Sequence, residues 1–352
     1  METPEERAQL DATMLRDDVS WWTSLVFSAA QSEWEPAMGL AIGTQVARVL
    51  HEGLSQLRRV DPQAAASLSE TWDDDIATAR HTVKLLDDTK RTIDSVLEEF
   101  ASIAAHHSDA FGDREDFAYI ESDGRMLGST RLLSFQALAD LDDETASGEG
   151  NRSYDFAQSM GIKAVELQRN FGKGDPVRRT LGLPRLPTPL VRTTTTQEFA
   201  TSTYDHTIPR EAADVAMIIE CSVNAALHVF EPSASVFTSS LFRARFVAAT
   251  HALSTLEQLL DRFPSDETAL RRSLVEALHA PASTRIRSYR QLRNRSMHYG
   301  IPPALSGLSS WKPAYGLVEA TTGGSQTFPA VEEDTRAALT GLSEALRDWR
   351  QG

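Results

Sequence analysis

The feature that most limits the fold of this chain is the recurrence of apolar side chains three and four positions apart. Ile42, Val46, Val49, Gly53 and Leu57 form one such stripe, ending at Asp61-Pro62. A longer one runs from Ile76 through Val83, Ile93 and Phe100 to His107, preceded by Asp73, Asp74 and Asp75, carboxylates suited to a helix N-terminus. In the last 140 residues Val215–Val229 gives a helix, and Phe242, Phe246, Ala249, Leu253, Leu256, Leu260 and Phe263 repeat four-three without a break. Leu270, Leu274 and Leu278 follow, then Ile286, Tyr289 and Leu292, and last Val331, Thr335, Ala338, Leu342, Leu346 and Trp349. This periodicity predicts one buried face per helix and an all-α fold. Small β-hairpins are expected only in loops: one at Asp123-Gly124, a dipeptide suited to two-residue turns, and one near Gly323-Gly324.

With 352 residues the chain is long enough for two domains. Between Gly172 and Pro209 it carries five prolines and the run Thr193–Thr196, with few periodic apolar partners. The expected organisation is an acidic N-terminal helical domain over 1–175, a Pro/Thr-rich linker over 176–209 and a second helical domain over 210–352. The single cysteine, Cys221, allows no internal disulfide and no Cys-based zinc site; no metal site and no cofactor are expected. No apolar run in the sequence approaches the ~18 residues of a membrane span, and METPEERAQL lacks the basic-then-apolar order of a signal peptide. The expected location is the cytoplasm, without a membrane partner.

The formal charge of −15 conceals a division. Residues 1–150 carry 12 Lys and Arg against 30 Asp and Glu, whereas residues 151–352 carry 23 against 20. Arg285, Arg287, Arg290, Arg293 and Arg295 lie within eleven positions of the second part. An acidic chain repels nucleic acid, so any affinity for it must sit in this local cationic run. The acidic first part, including the polar stretch 140–149, is expected to serve as a regulatory or partner-protein-binding module that restrains the basic part.

The run closes on Arg293-Asn294-Arg295-Ser296-Met297-His298-Tyr299-Gly300. Asn294 and His298, four apart, would share a helix face, so that the amide could orient the imidazole. Arg293 and His298 stand about 140° apart around an ideal helix and converge only if the helix end distorts or a second subunit contributes.

An arginine, a polar residue, three further residues and a histidine, set late in a helical bundle, resemble the mark of the HEPN superfamily. The resemblance covers about residues 210–352 and implies a bundle of four to five helices, a homodimer and metal-independent cleavage of RNA. It implies His298 as the proton-transfer group, Arg293 as a phosphate clamp and Asn294 as an orienting residue. Arg285, Arg287, Arg290, Arg295 and Tyr299 would contact RNA. A histidine can exchange protons near neutral pH, and a guanidinium is always charged, so the chemistry is coherent. The physiological setting that the resemblance implies is stress response or anti-phage defence. The alternative, from a different functional class, is a non-catalytic helical adaptor that dimerises or binds RNA.

Overall fold

A computed structural model describes residues 3–68, 72, 92–111, 117–132, 149–170, 177–204, 208–264 and 269–351. The expected helix start at Asp73–Asp75, the first half of the stripe after it and nearly all of the acidic stretch 140–149 lie outside these residues.

The chain is built mainly of helices. Helix α1 (Pro4–Ala29) opens with reciprocal capping: Thr3 Oγ1 accepts from the Glu6 amide at 3.2 Å, and Glu6 Oε2 accepts from the Thr3 amide at 2.7 Å. Proline sits at its first position, where no donor is lost. Helix α2 (Glu35–Val60) packs on α1 and ends where Asp61-Pro62 stops it. Helix α3 (Ile93–Phe111) carries the latter part of the long stripe, and Leu97, Phe100 and Ala104 are buried.

Strands β1 (Phe117–Ser122) and β2 (Arg125–Ser129) pair antiparallel about Asp123-Gly124. Both turn residues have positive φ, 51° and 67°, as a two-residue hairpin with the native strand twist requires. After α4 (Glu149–Asn170) comes β3 (Leu190–Thr194), which adds to the other edge of β1 in the order β2-β1-β3. The segment expected as a linker therefore supplies a strand and a short helix, α5 (Thr196–Ser202), capped by Thr195. Its proline-rich start is fastened to α1. The amides of Val177, Arg179 and Leu181 donate to the hydroxyls of Ser20, Ser24 and Ser28 at 3.1, 3.0 and 2.7 Å.

Helix α6 (Arg210–Asn224) continues into a π-helical turn, Ala225–Val229. By length and hydropathy Arg210–Val229 could cross a membrane, the one such helix among the described residues, but 83% of its apolar window is buried inside the protein. Helices α7 (Thr238–Arg262), α8 (Ala269–His279), α9 (Pro281–Ser288) and α10 (Arg290–Met297) follow. A short α11 (Leu317–Thr321) precedes α12 (Phe328–Gln351). The hairpin expected near Gly323-Gly324 is instead the turn between α11 and α12; both glycines adopt positive φ, and a helix follows at Phe328.

Buried side chains from both expected domains meet in one core. Trp21 of α1 packs edge-on against Phe230 at 5.2 Å and donates its indole N–H to Ser233 at 2.8 Å. Helix α6 lies on β2, where Glu220 accepts from the Met126 amide and the Asn224 amide group donates to the Met126 carbonyl. Helix α2 approaches β2 at Gly128, where a Cβ would come within 2.7 Å of Leu40. A larger residue there would require the Leu40 side chain to shift.

Candidate active site

The Arg–Asn–His run forms α10 and the turn after it. The helix is separated from α9 by Tyr289, whose ψ of 51° breaks the helical path that the spacing of Ile286, Tyr289 and Leu292 had predicted to continue. At its other end the His298 amide donates to the Asn294 carbonyl at 3.1 Å, and His298 itself is extended (φ −104°, ψ 148°). The imidazole consequently leaves the helix surface, and the ideal-helix relation of His298 to Asn294 and Arg293 no longer holds.

Residues 298–301 are held by carboxylates of α1 and α2. Asp11 accepts from the Gly300 and Ile301 amides at 3.0 and 3.4 Å and from the Gln56 amide group at 2.9 Å. Gly300 needs its φ of 94°, and a Cβ there would strike Arg59 and Gln56 at 2.5 and 2.8 Å. Burial pushes the Asp11 carboxyl up, only partly offset by those two amides. Tyr299 turns inward and donates to Asp18 at 2.7 Å. The same carboxylate oxygen binds Arg243 at 2.8 Å and Arg48 at 3.0 Å, and the Arg243 guanidinium lies 5.2 Å from the Tyr299 ring centre. Burial opposes ionisation of Asp18, but the two guanidinium charges prevail and hold it below the ordinary carboxylate range.

His298 remains at the surface, its side chain 39% exposed. Its Nδ1 stands 2.6 Å from Glu52 Oε2, and Nδ1 of His51 stands 2.8 Å from Glu52 Oε1. One nearly buried carboxylate thus joins two imidazoles. Burial alone would raise the Glu52 carboxyl; the hydrogen bonds from His298 and His51 overcome it and bring the value down to about 2. An ionised carboxylate only accepts, so both Nδ1 atoms carry the proton and both Nε2 atoms sit on the ring edge away from Glu52.

The remaining expected site residues divide. Arg293 is half-buried, which lowers its pKa, and its Nη1 donates to the Asn294 side-chain oxygen at 3.3 Å. Asn294 therefore engages Arg293, and the orienting role expected of it toward His298 is taken by Glu52. Arg285 pairs with Asp334 through two nitrogens, and Arg287 with Glu257 at 2.9 Å. Arg295 donates to the Gly300 carbonyl at 3.0 Å, whereas Arg290 is exposed at the start of α10. Tyr299, expected against RNA, is 3% exposed and belongs to the core, because its hydroxyl is needed by Asp18. The carboxylates that engage Arg285 and Arg287 come from the second half, so the charge complementarity expected between the acidic half and the arginine run is not formed at these two residues.

Glu52 and His51 were not singled out in the sequence. The signal for Glu52 is a polar stripe in an otherwise apolar helix: Arg48, Glu52, Gln56 and Arg59 recur at helical spacing beside Val49, Gly53 and Leu57. The first three are at most 6% exposed, which a helix permits only when each finds a partner. Burial lowers His228 and His251 to about 4, which makes these two unsuited to proton exchange at neutral pH. Cys221 is buried and its thiol is pushed up by desolvation, as for an inert core cysteine. Among the described residues no group of three or more His, Cys, Asp or Glu side chains is arranged to hold a metal ion. Comparison with protein-family models, curated proteins and solved structures gives no match to this chain.

Proposed function

We propose that the chain is a metal-independent endoribonuclease of HEPN type, with His298 as the proton-transfer residue and Arg293 as the phosphate clamp. The observation that carries this reading is the contact between His298 Nδ1 and Glu52 at 2.6 Å on a ring that remains 39% exposed. A carboxylate behind an imidazole fixes its tautomer, presents Nε2 to a substrate and stabilises the imidazolium formed when a proton is taken up. Arg293, five positions earlier in the sequence, would supply a permanent positive charge for a phosphate on which charge develops. The reading carries with it RNA as substrate, a homodimer, a cytoplasmic location and a role in stress response or defence.

The test is cleavage of single-stranded and structured RNA in EDTA by the wild type, His298→Ala and Arg293→Ala. Removal of a general acid or base costs about 10²–10⁴-fold in rate. Both variants are expected to lose activity on that scale, and equal cleavage by all three rejects the assignment. The pairing of Arg285, Arg287 and Arg295 within the fold favours a second reading, a non-catalytic adaptor. Salt-sensitive RNA binding without cleavage would select it.

A further inference from the structure

Cleavage of RNA by its own 2′-hydroxyl needs two proton transfers, one from the attacking oxygen and one to the departing oxygen. His298 can serve one of them. We infer that His51 serves the other, as a second acid–base residue of the same active site, supplied by the same chain. This inference rests on the RNA-cleavage reading and goes beyond it, because it dispenses with a second subunit as the source of the second imidazole.

The geometry is that of Glu52. Its two oxygens hold Nδ1 of His51 at 2.8 Å and Nδ1 of His298 at 2.6 Å, so the rings flank a single carboxylate. Both side chains retain surface, 23% for His51 and 39% for His298. Each ring therefore keeps one nitrogen, Nε2, uncommitted to Glu52. A carboxylate needed only to neutralise a histidine would be satisfied by one partner; bridging two fixes the relative placement of both. Arg48 and the backbone of residues 298–301 are anchored through Asp18 and Asp11, which keeps α2 and the 298 turn in register with each other.

In the step proposed, Nε2 of His298, the more exposed ring, accepts the proton of the 2′-hydroxyl as that oxygen bonds to the adjacent phosphorus. The P–O5′ bond breaks, and the departing 5′-oxygen takes the Nε2 proton of His51, which begins the step as imidazolium. The products are a 2′,3′-cyclic phosphate and a 5′-hydroxyl. One proton has moved from His51 to His298 overall, and no electrons leave the substrate. Both Nδ1–H groups stay on their rings and donate to Glu52 throughout, so Glu52 acts as a positioning residue.

The experiment compares the full chain and its His51→Ala and His298→Ala variants on two RNA dinucleotides, one with the natural 5′-oxygen leaving group and one with a 5′-bridging sulfur. A thiolate leaves without protonation, so loss of the acid is silent on the sulfur substrate. His51→Ala is expected to slow the oxygen substrate by about 10²–10⁴-fold and the sulfur substrate by less than about tenfold, whereas His298→Ala slows both. His51→Gln, which keeps volume and a hydrogen bond to Glu52, serves as a control for folding and is expected to behave as His51→Ala does. Equal loss on the two substrates with His51→Ala and His51→Gln, or no loss on either, overturns the role of His51 while leaving cleavage by His298 in place. Absence of cleavage by the wild type on both substrates overturns the inference together with the reading beneath it.

Discussion

At the scale of single residues, the site depends on carboxylates whose ionisation is biased in opposite directions. Asp11 is pushed up by burial, so its charged form weakens the fold and its contribution improves as pH falls. Glu52 is the reverse case, brought to about 2 from an ordinary value of 4.5. Its folded value lies below its unfolded one. The stabilisation is complete above about pH 4.5 and is lost as pH falls through 2, on the order of 3 kcal/mol over that window. Urea unfolding of the wild type between pH 2 and 5 is expected to show this loss, and Glu52→Gln to flatten it. An unchanged acid limb in the variant would mean that other carboxylates govern acid unfolding. The Arg293–His298 run was legible in the sequence because its residues are contiguous and of unusual composition. Glu52 was not, since it lies 246 positions from the imidazole it holds and only tertiary packing brings the two together.

At the scale of elements, the stripes of three-and-four spacing located the helices well. In α12, Val331, Thr335, Ala338, Leu342, Leu346 and Trp349 are all buried, and in α7 so are Phe242, Phe246, Ala249, Leu253 and Leu256. The Asp123-Gly124 hairpin was legible because the turn chemistry is local. The segment 177–194 was not, because its partners are distant and its own side chains carry little periodic signal. It docks by a match of repeats. Two residues of extended chain advance about 6–7 Å and four residues of helix advance 6 Å, so alternate amides meet Ser20, Ser24 and Ser28 in turn. Residues 177–181 lie in no sheet whose strands could take their amides, and fully buried Ser24 has no water to fall back on. Ser24→Ala is expected to cost about 1 kcal/mol and, in hydrogen exchange, to loosen the amides of Arg179 and its neighbours while sparing α7. Unaltered protection at Arg179 would show that the bond does not hold the segment.

At the scale of the whole molecule, the division into an acidic and a near-neutral half describes charge but not packing. Arg243 of α7 is fully buried, and the carboxylate that pairs with it, Asp18, belongs to α1. Glu220 of α6 closes the reverse relation, accepting from the β2 backbone while it binds Arg350 at 3.0 Å. Separating the halves at the proline-rich segment would leave a guanidinium in the core without its carboxylate, a loss of about 3–5 kcal/mol for one such pair. It would also expose the faces of α6 and α7 that meet β2, Trp21 and α1. Losses of that size rival the total stability of a domain. A 208–352 fragment is therefore expected to lack the cooperative urea transition of the full chain and to bind a hydrophobic dye. Its failure to cleave RNA would then report unfolding rather than release from restraint, so regulation by the first half has to be tested with substitutions in the intact chain. A cooperative transition of the fragment near the full chain's midpoint would show that the second half keeps a core of its own, and would reopen truncation as a test of restraint.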